Sequence, residues 1–162
     1  MISAVFHSTS SGKTENAEDV WGNKVPYLVS VVSEGDELSP KYSSEFSCDV
    51  NEFYGKISEY TKNADINHEI FSDIKRSEAG GIISLKVYGV EIKGSEFRNI
   101  FNLRSTNIQL EREGDNIIMK VSGNGHGVGM SQYGAEFMAK NGKDYKDILK
   151  KYYPGTEIIN VS

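Results

Sequence analysis

Apolar and polar residues alternate from Ile2 to His7, with Ile2, Ala4 and Phe6 on one face and Ser3, Val5 and His7 on the other. This predicts a half-buried strand that ends in a histidine. A polar loop, SerThrSerSerGlyLysThr, follows, and after the acidic segment 15–19 the β-branched run PYLVSVVS at 26–33 predicts a second strand. Residues 34–50, with Pro40 and several serines and acids, read as an exposed connection. Phe53, Tyr54, Ile57 and Tyr60 fall at i, i+1, i+4 and i+7, the apolar stripe of a short helix over 51–62. Residues 65–78 give a mixed signal and no element is assigned there.

From Gly81 onwards the pattern returns to period two: Ile83, Leu85 and Val87 alternate with polar or smaller neighbours, and a short helix follows over 95–101. TNIQLER and NIIMKVSG flank Glu113, Gly114, Asp115 and Asn116, which predicts a hairpin. Ser131 is placed to cap a helix over 132–140 that Asn141-Gly142 stops. A last helix lies between Asp144 and Pro154-Gly155. Strands and helices are interspersed without a regular βαβ repeat, so the expected fold class is α+β: a mixed, mainly antiparallel sheet with a few short helices in a single domain.

Between the hairpin and the helix from 132 lies SGNGHGVGMSQYG, with glycine at 123, 125, 127 and 129 around His126. In an extended segment these glycines leave one face bare, while Asn124, His126, Val128 and Met130 project from the other. Each glycine costs roughly 0.5–1 kcal/mol relative to alanine in a regular element. The run therefore implies a close approach of something to its backbone, against which a ligand could lie, or dihedrals that favour glycine; a flexible turn is the plainer alternative.

Composition narrows the partners. At 162 residues and 38% apolar content, the chain is long enough for one core. A net charge of −5 without a Lys/Arg block disfavours nucleic acid and anionic membrane surfaces. The lone Cys48 excludes an internal disulfide. No apolar run reaches the roughly 20 residues of a membrane span, and the opening residues lack the features of a signal peptide. The abrupt start on ISAVF is expected of a piece of a longer protein.

Several constellations fail on inspection. HSTSSGKT at 7–14 has the Lys-Thr of a phosphate loop but His7 where the first glycine belongs, and a poor helix start after it. The glycine run has GxGxGxG spacing, which is not a dinucleotide fingerprint. His7, His68, His126 and Cys48 offer no paired spacing for zinc, so no cofactor or metal is expected. No GxSxG elbow supports a serine hydrolase. There remain two polar corners that follow strands. His7, Ser8 and Thr9 form one, and Gly125, His126 and Gly127 with Ser131, Gln132 and Tyr133 form the other. Imidazole, hydroxyl, amide and aromatic groups beside bare backbone suit a carbohydrate; a structural role for each histidine is the simpler alternative.

AVFHSTSSGKTENAEDVWG, VPYLVSV and VSGNGHGVGMSQYGAEFMAKNGKDYKDILKKYYPGTEI together resemble the SpoIID/LytB family, most closely over the first 32 and last 42 residues. The resemblance implies that residues 1–162 are the C-terminal part of such a domain. It implies a peptidoglycan lytic transglycosylase that acts on glycan strands during engulfment in sporulating bacteria, with a cell-wall amidase as partner. It also implies an extracytoplasmic place, in the wall or between mother-cell and forespore membranes, any membrane anchor lying outside this chain. Such a reaction needs one carboxylic acid, because the sugar's own hydroxyl attacks and an anhydro sugar results. The family places that glutamate in a GEMP-like segment not found here, so no catalytic residue is assigned in this chain. Glu15 and Glu18 are substitutes in principle, but acids beside a loop are usually solvated. The implied behaviour is a fragment that binds glycan weakly and cuts it poorly or not at all. The alternative is a non-catalytic wall-sugar or amidase-enhancer module. By the resemblance, His7, Ser8, Thr9, Gly125, His126, Gly127, Ser131, Gln132 and Tyr133 line a substrate cleft. The helix starting near Ser131 is expected to offer its backbone N–H groups and positive end to the lactyl carboxylate of muramic acid.

Overall fold

The computed structural model describes residues 1–161. Phe53 and Ile57, about one helical turn apart, are both wholly buried on α2 (Val50–Tyr60), which Asp49 caps by accepting from the N–H groups of Asn51 and Glu52. They sit in a cluster with residues of two three-stranded antiparallel sheets. The first sheet orders β2 (Ser43–Asp49), β7 (Asn116–Ser122) and β6 (Asn107–Glu113). The second orders β3 (Phe71–Arg76), β4 (Ile82–Val87) and β5 (Val90–Lys93). Phe97 of α3 (Gly94–Ile100) and the following Phe101 close the cluster, Phe101 stacking on Phe53 at 4.9 Å between ring centroids. Each such side chain removed from water contributes roughly 1.5–3 kcal/mol.

These elements make up one compact unit, Ser43–Ser122; Met1–Tyr42 and the residues from Gly123 onwards form another. The second unit holds β1 (Phe6–His7), α1 (Ala17–Trp21), a short 3-10 turn (Asp36–Leu38), β8 (Met130–Ser131), α4 (Gln132–Lys140) and α5 (Tyr145–Tyr152). Its own apolar cluster gathers Ala17, Leu28, Val128, Tyr152 and Tyr153. Where one core was expected there are two apolar clusters. The reason is visible in the backbone: Gly123 N–H donates to Tyr42 O at 2.6 Å, so the chain leaves and re-enters this unit at one point. No helix among the described residues is long and apolar enough to cross a membrane.

The α+β class holds, as do the helices at 51–62, 95–101, 132–140 and after Asp144, and the 107–122 hairpin. Three expectations are corrected. Residues 26–33 form no strand: Val31 N–H donates to Thr14 Oγ1 (2.9 Å) and Ser30 N–H to Asn16 Oδ1 (2.7 Å), so side chains interrupt the pairing and only an isolated antiparallel bridge joins Val32 to Lys13. The supposed connection 34–50 contains β2, a strand with only Cys48 buried, whose exposed polar residues hide its period. Finally, only Phe6–His7 of the first run pairs as strand, and its faces are reversed: Ile2 and Phe6 are exposed while His7 is buried.

Candidate functional site

β1 lies parallel to β8, with Phe6 opposite Met130 and His7 opposite Ser131, so the two polar corners that the sequence singled out are adjacent. The glycine run makes this possible, though not as a bare extended strand. Gly123, Gly125, Gly127 and Gly129 all have φ between 77° and 112°, a region that favours glycine. Their open faces meet protein. A Cβ on Gly125 would lie 2.8 Å from His7 Cβ, one on Gly127 2.8 Å from Glu15 Cγ, and one on Gly129 2.1 Å from Val5 O. The close approach is thus that of residues 5–15, and no ligand is needed to explain the glycines.

His7 is 4% exposed. Its Nδ1 lies 3.1 Å from Val128 O, and since a carbonyl only accepts, Nδ1 carries the proton and Nε2 is left as a buried acceptor without a hydrogen-bond partner. Burial lowers its pKa from 6.5 to about 4; the Val128 bond opposes this and His126 adds to it. The folded protein therefore holds His7 neutral while the unfolded chain protonates it, so stability is full above the unfolded value and falls as pH drops from 6.5 to about 4. The shift corresponds to about 3 kcal/mol at most. We expect His7→Gln to flatten the fall in urea-unfolding free energy between pH 7 and 4; an unchanged slope would refute the assignment.

At the centre of this unit lies a residue the sequence did not flag. Asp36 is wholly buried, and its carboxylate accepts from Ser10 N–H (3.1 Å), Ser10 Oγ (2.6 Å), Ser33 Oγ (2.5 Å) and Ser131 Oγ. Ser33 Oγ lies 2.7 Å from Tyr152 OH; with its own proton on Asp36 it accepts the phenol's. Burial pushes that phenol's pKa up to about 12. Ser131 in turn caps α4 by accepting from Gly134 N–H. One carboxylate thus ties the β1 loop, the 3-10 turn, the start of α4 and, through Ser33, α5. Asp36 sits in an acid-rich stretch, GluGlyAspGlu, and nothing in that spacing separates it from its exposed neighbours Glu34 and Glu37.

The remaining predicted residues divide by exposure. Thr9 and Ser131 are buried, and their hydroxyls are engaged internally, Thr9 Oγ1 lying 3.0 Å from Ser39 Oγ. Ser8, Gly125, His126, Gly127 and Tyr133 are half-buried, and Gln132 is exposed. The first turn of α4 is less open to an anion than expected, because Tyr133 N–H donates to Ser8 O and Gly134 N–H to Ser131 Oγ. Glu15 departs from expectation too: it is buried, its N–H on Gly127 O at 2.7 Å, whereas Glu18 is exposed.

His126 Nδ1 accepts from Val128 N–H, and its ring contacts His7 edge-on at 5.7 Å and Trp21 at 5.3 Å. Trp21, unlike His7, is 46% exposed. A line of rings therefore runs from a sealed imidazole through a half-buried one to an indole open to solvent. Trp21 was not among the predicted site residues. As the single tryptophan, followed by glycine, it was the available signal; Gly22 at φ 81° ends α1 directly after it.

No protein-family model matches the chain. Stage II sporulation protein D of Bacillus amyloliquefaciens is 41% identical over 157 residues, which cover 97% of this chain and 45% of that protein. The same protein of Bacillus subtilis (strain 168) gives equal figures. The amidase enhancer of Bacillus subtilis (strain 168) is 27% identical over 211 residues, 99% of this chain and 30% of the relative. The chain thus spans less than half the length of these curated relatives. With similarity running through nearly all of its own residues, including both histidine corners, the chain belongs to the family of stage II sporulation protein D and the amidase enhancer.

Proposed function

We propose that this chain is the glycan-facing part of an extracytoplasmic protein that acts on peptidoglycan strands during sporulation. The observation that carries this reading is the ring line His7, His126, Trp21. A sugar ring presents a C–H face to an aromatic and hydroxyls to polar groups, and an exposed indole beside an imidazole and a carbonyl-rich glycine run offers both. Trp21 is the stacking platform, His126 holds it, and His7 fixes the loop from beneath. His7 is not assigned as a proton donor, since it stays neutral in the folded protein down to about pH 4.

Cleavage is assigned to the whole protein, with the general acid on residues outside these 162, as the family resemblance implies. A cell-wall amidase is the proposed partner, because one relative is named an amidase enhancer. That relative also favours a second reading, in which the surface binds glycan and the protein does not cut it. The two readings separate on the full-length parent: shortened strands with anhydro ends support cleavage, and unaltered strands support binding alone.

Binding itself is tested on residues 1–162. Co-sedimentation with purified glycan strands stripped of peptides should be saturable. Trp21→Ala should weaken it about tenfold, equivalent to about 1.4 kcal/mol. The exposed indole has little structural load, so the variant should fold. Equal binding by Trp21→Ala would overturn the placement of the sugar.

A further inference from the structure

The Ser43–Ser122 unit contains a groove of about 570 Å³, a size that suits a small ligand. Val50, Ile66, Ile70 and Phe71 provide apolar walls; Tyr88 and Arg112 supply polar groups on one side, and His68 and Glu69 further ones. Three observations converge on Tyr88. It is 2% exposed, its hydroxyl is buried without a hydrogen-bond partner, and its backbone lies at φ 47°, a region that bulky residues rarely adopt. Tyr88 and Gly89 (φ 79°) form the turn between β4 and β5, where asparagine-glycine would be the unstrained choice. An unsatisfied buried hydroxyl costs folding free energy, and the strained dihedral adds to it. Both costs fall on one residue in the wall of a groove.

Arg112 belongs to the same wall. Its Nε donates to Gly114 O at 2.8 Å, which steadies the guanidinium, and its other N–H groups make no hydrogen bond among the described residues. A phenol hydroxyl and a planar guanidinium are both donors, so the complementary group is an acceptor with negative charge and two oxygens. Glu69 on the groove repels a simple anion and instead accepts an N–H. Apolar walls of this size suit small aliphatic side chains.

We infer that this groove binds the free carboxyl end of a short peptide with small apolar side chains. The carboxylate lies against Arg112 and, as the groove opens around it, against the Tyr88 hydroxyl, which is sealed in the free protein, and the side chains rest on Ile66, Ile70 and Phe71. This site is independent of the glycan surface on the other unit. Its ligand is defined by the carboxylate, whether it comes from an ordinary peptide or from one ending in a D-residue.

Titration of the chain followed by NMR shifts tests this with three probes: trialanine, its C-terminal carboxamide, and a peptide ending in D-alanyl-D-alanine. A free-carboxyl peptide should bind saturably, and the carboxamide at least about tenfold more weakly on the unaltered protein. Tighter binding of either free-carboxyl probe supports the site and names the source. Arg112→Gln should weaken binding by a similar factor. Tyr88→Phe should also weaken it, yet leave the melting temperature unchanged or raised, because it removes a hydroxyl that has no partner. Equal affinity for acid and amide, no saturation by any probe, unaltered affinity in both variants, or a lower melting temperature for Tyr88→Phe would overturn the inference.

Discussion

Asp36→Ala is expected to destabilise the protein by about 4 kcal/mol, a large part of the 5–15 kcal/mol that typically holds a domain folded. The substitution removes an acceptor that serves the hydroxyls of Ser10, Ser33 and Ser131 and the N–H of Ser10. Those serines are at most 2% exposed, so water does not readily replace the lost oxygens. Each buried donor left unsatisfied costs about 1–3 kcal/mol, less whatever local rearrangement recovers. The damage should spread along the network: Ser131 loses the partner that fixes it as the cap of α4, and Ser33 the one that orients it towards Tyr152. Ser131→Ala, which removes one donor and the cap but leaves Asp36 its other partners, should cost about 1–2 kcal/mol. Thermal unfolding of both variants decides the matter. A melting temperature for Asp36→Ala within a degree or two of the unaltered protein would show that the carboxylate does not hold these segments together.

Gly129→Ala should cost about 3 kcal/mol or more. Its Cβ would lie 2.1 Å from Val5 O, with Val5 C and Cγ2 at 3.0 Å, and the residue sits at φ 77°. The obstructing atom is backbone, so it cannot rotate aside. Nor can Val5 O retreat cheaply, because it accepts from Met130 N–H at 3.2 Å and from Tyr153 OH at 2.6 Å. Relieving the clash therefore loosens the junction of β1 with β8 and the anchor beyond α5. Gly142 provides the comparison: it has φ 83°, and a methyl added there would meet no atom within 4 Å, so Gly142→Ala should show only the left-handed penalty of about 1–2 kcal/mol. At about 2–4 °C per kcal/mol, the two variants should differ by several degrees in melting temperature. Equal melting temperatures would mean that the glycine run tolerates side chains and that its spacing has some other cause.

The local code of the chain was legible where one side of an element is apolar or one residue type closes it. The Phe53 and Ile57 stripe, the Gly114-Asp115 turn and the caps Ser131 and Asp144 each rest on interactions within a few residues. Where partners are distant the reading failed. Residues 26–33 look like a strand because Val29, Val31 and Val32 are β-branched, but the side chains of Thr14 and Asn16 take the N–H groups of Val31 and Ser30 and leave only an isolated bridge at Val32. β2 looks like a loop because an exposed strand has no need of an apolar face.

The candidate site divides the same way. Residue type alone marked His7, His126 and the alternating glycines, since a chain accepts that many side-chain-free positions only for a tight approach or an unusual backbone. What approaches was a tertiary question. The four methyl positions are closed off by Val5, His7, Thr9 and Glu15, which sit more than a hundred residues away in sequence. Likewise, acidic residues at 34, 36 and 37 look equivalent in the chain, and only the folding of Ser10, Ser33 and Ser131 around one of them makes Asp36 the anchor. Periodicity and caps are short-range and survive in the sequence; the burial of a charge, the neutrality of His7 and the exposure of Trp21 depend on which distant segments exclude water, and that is decided only when the chain has closed on itself.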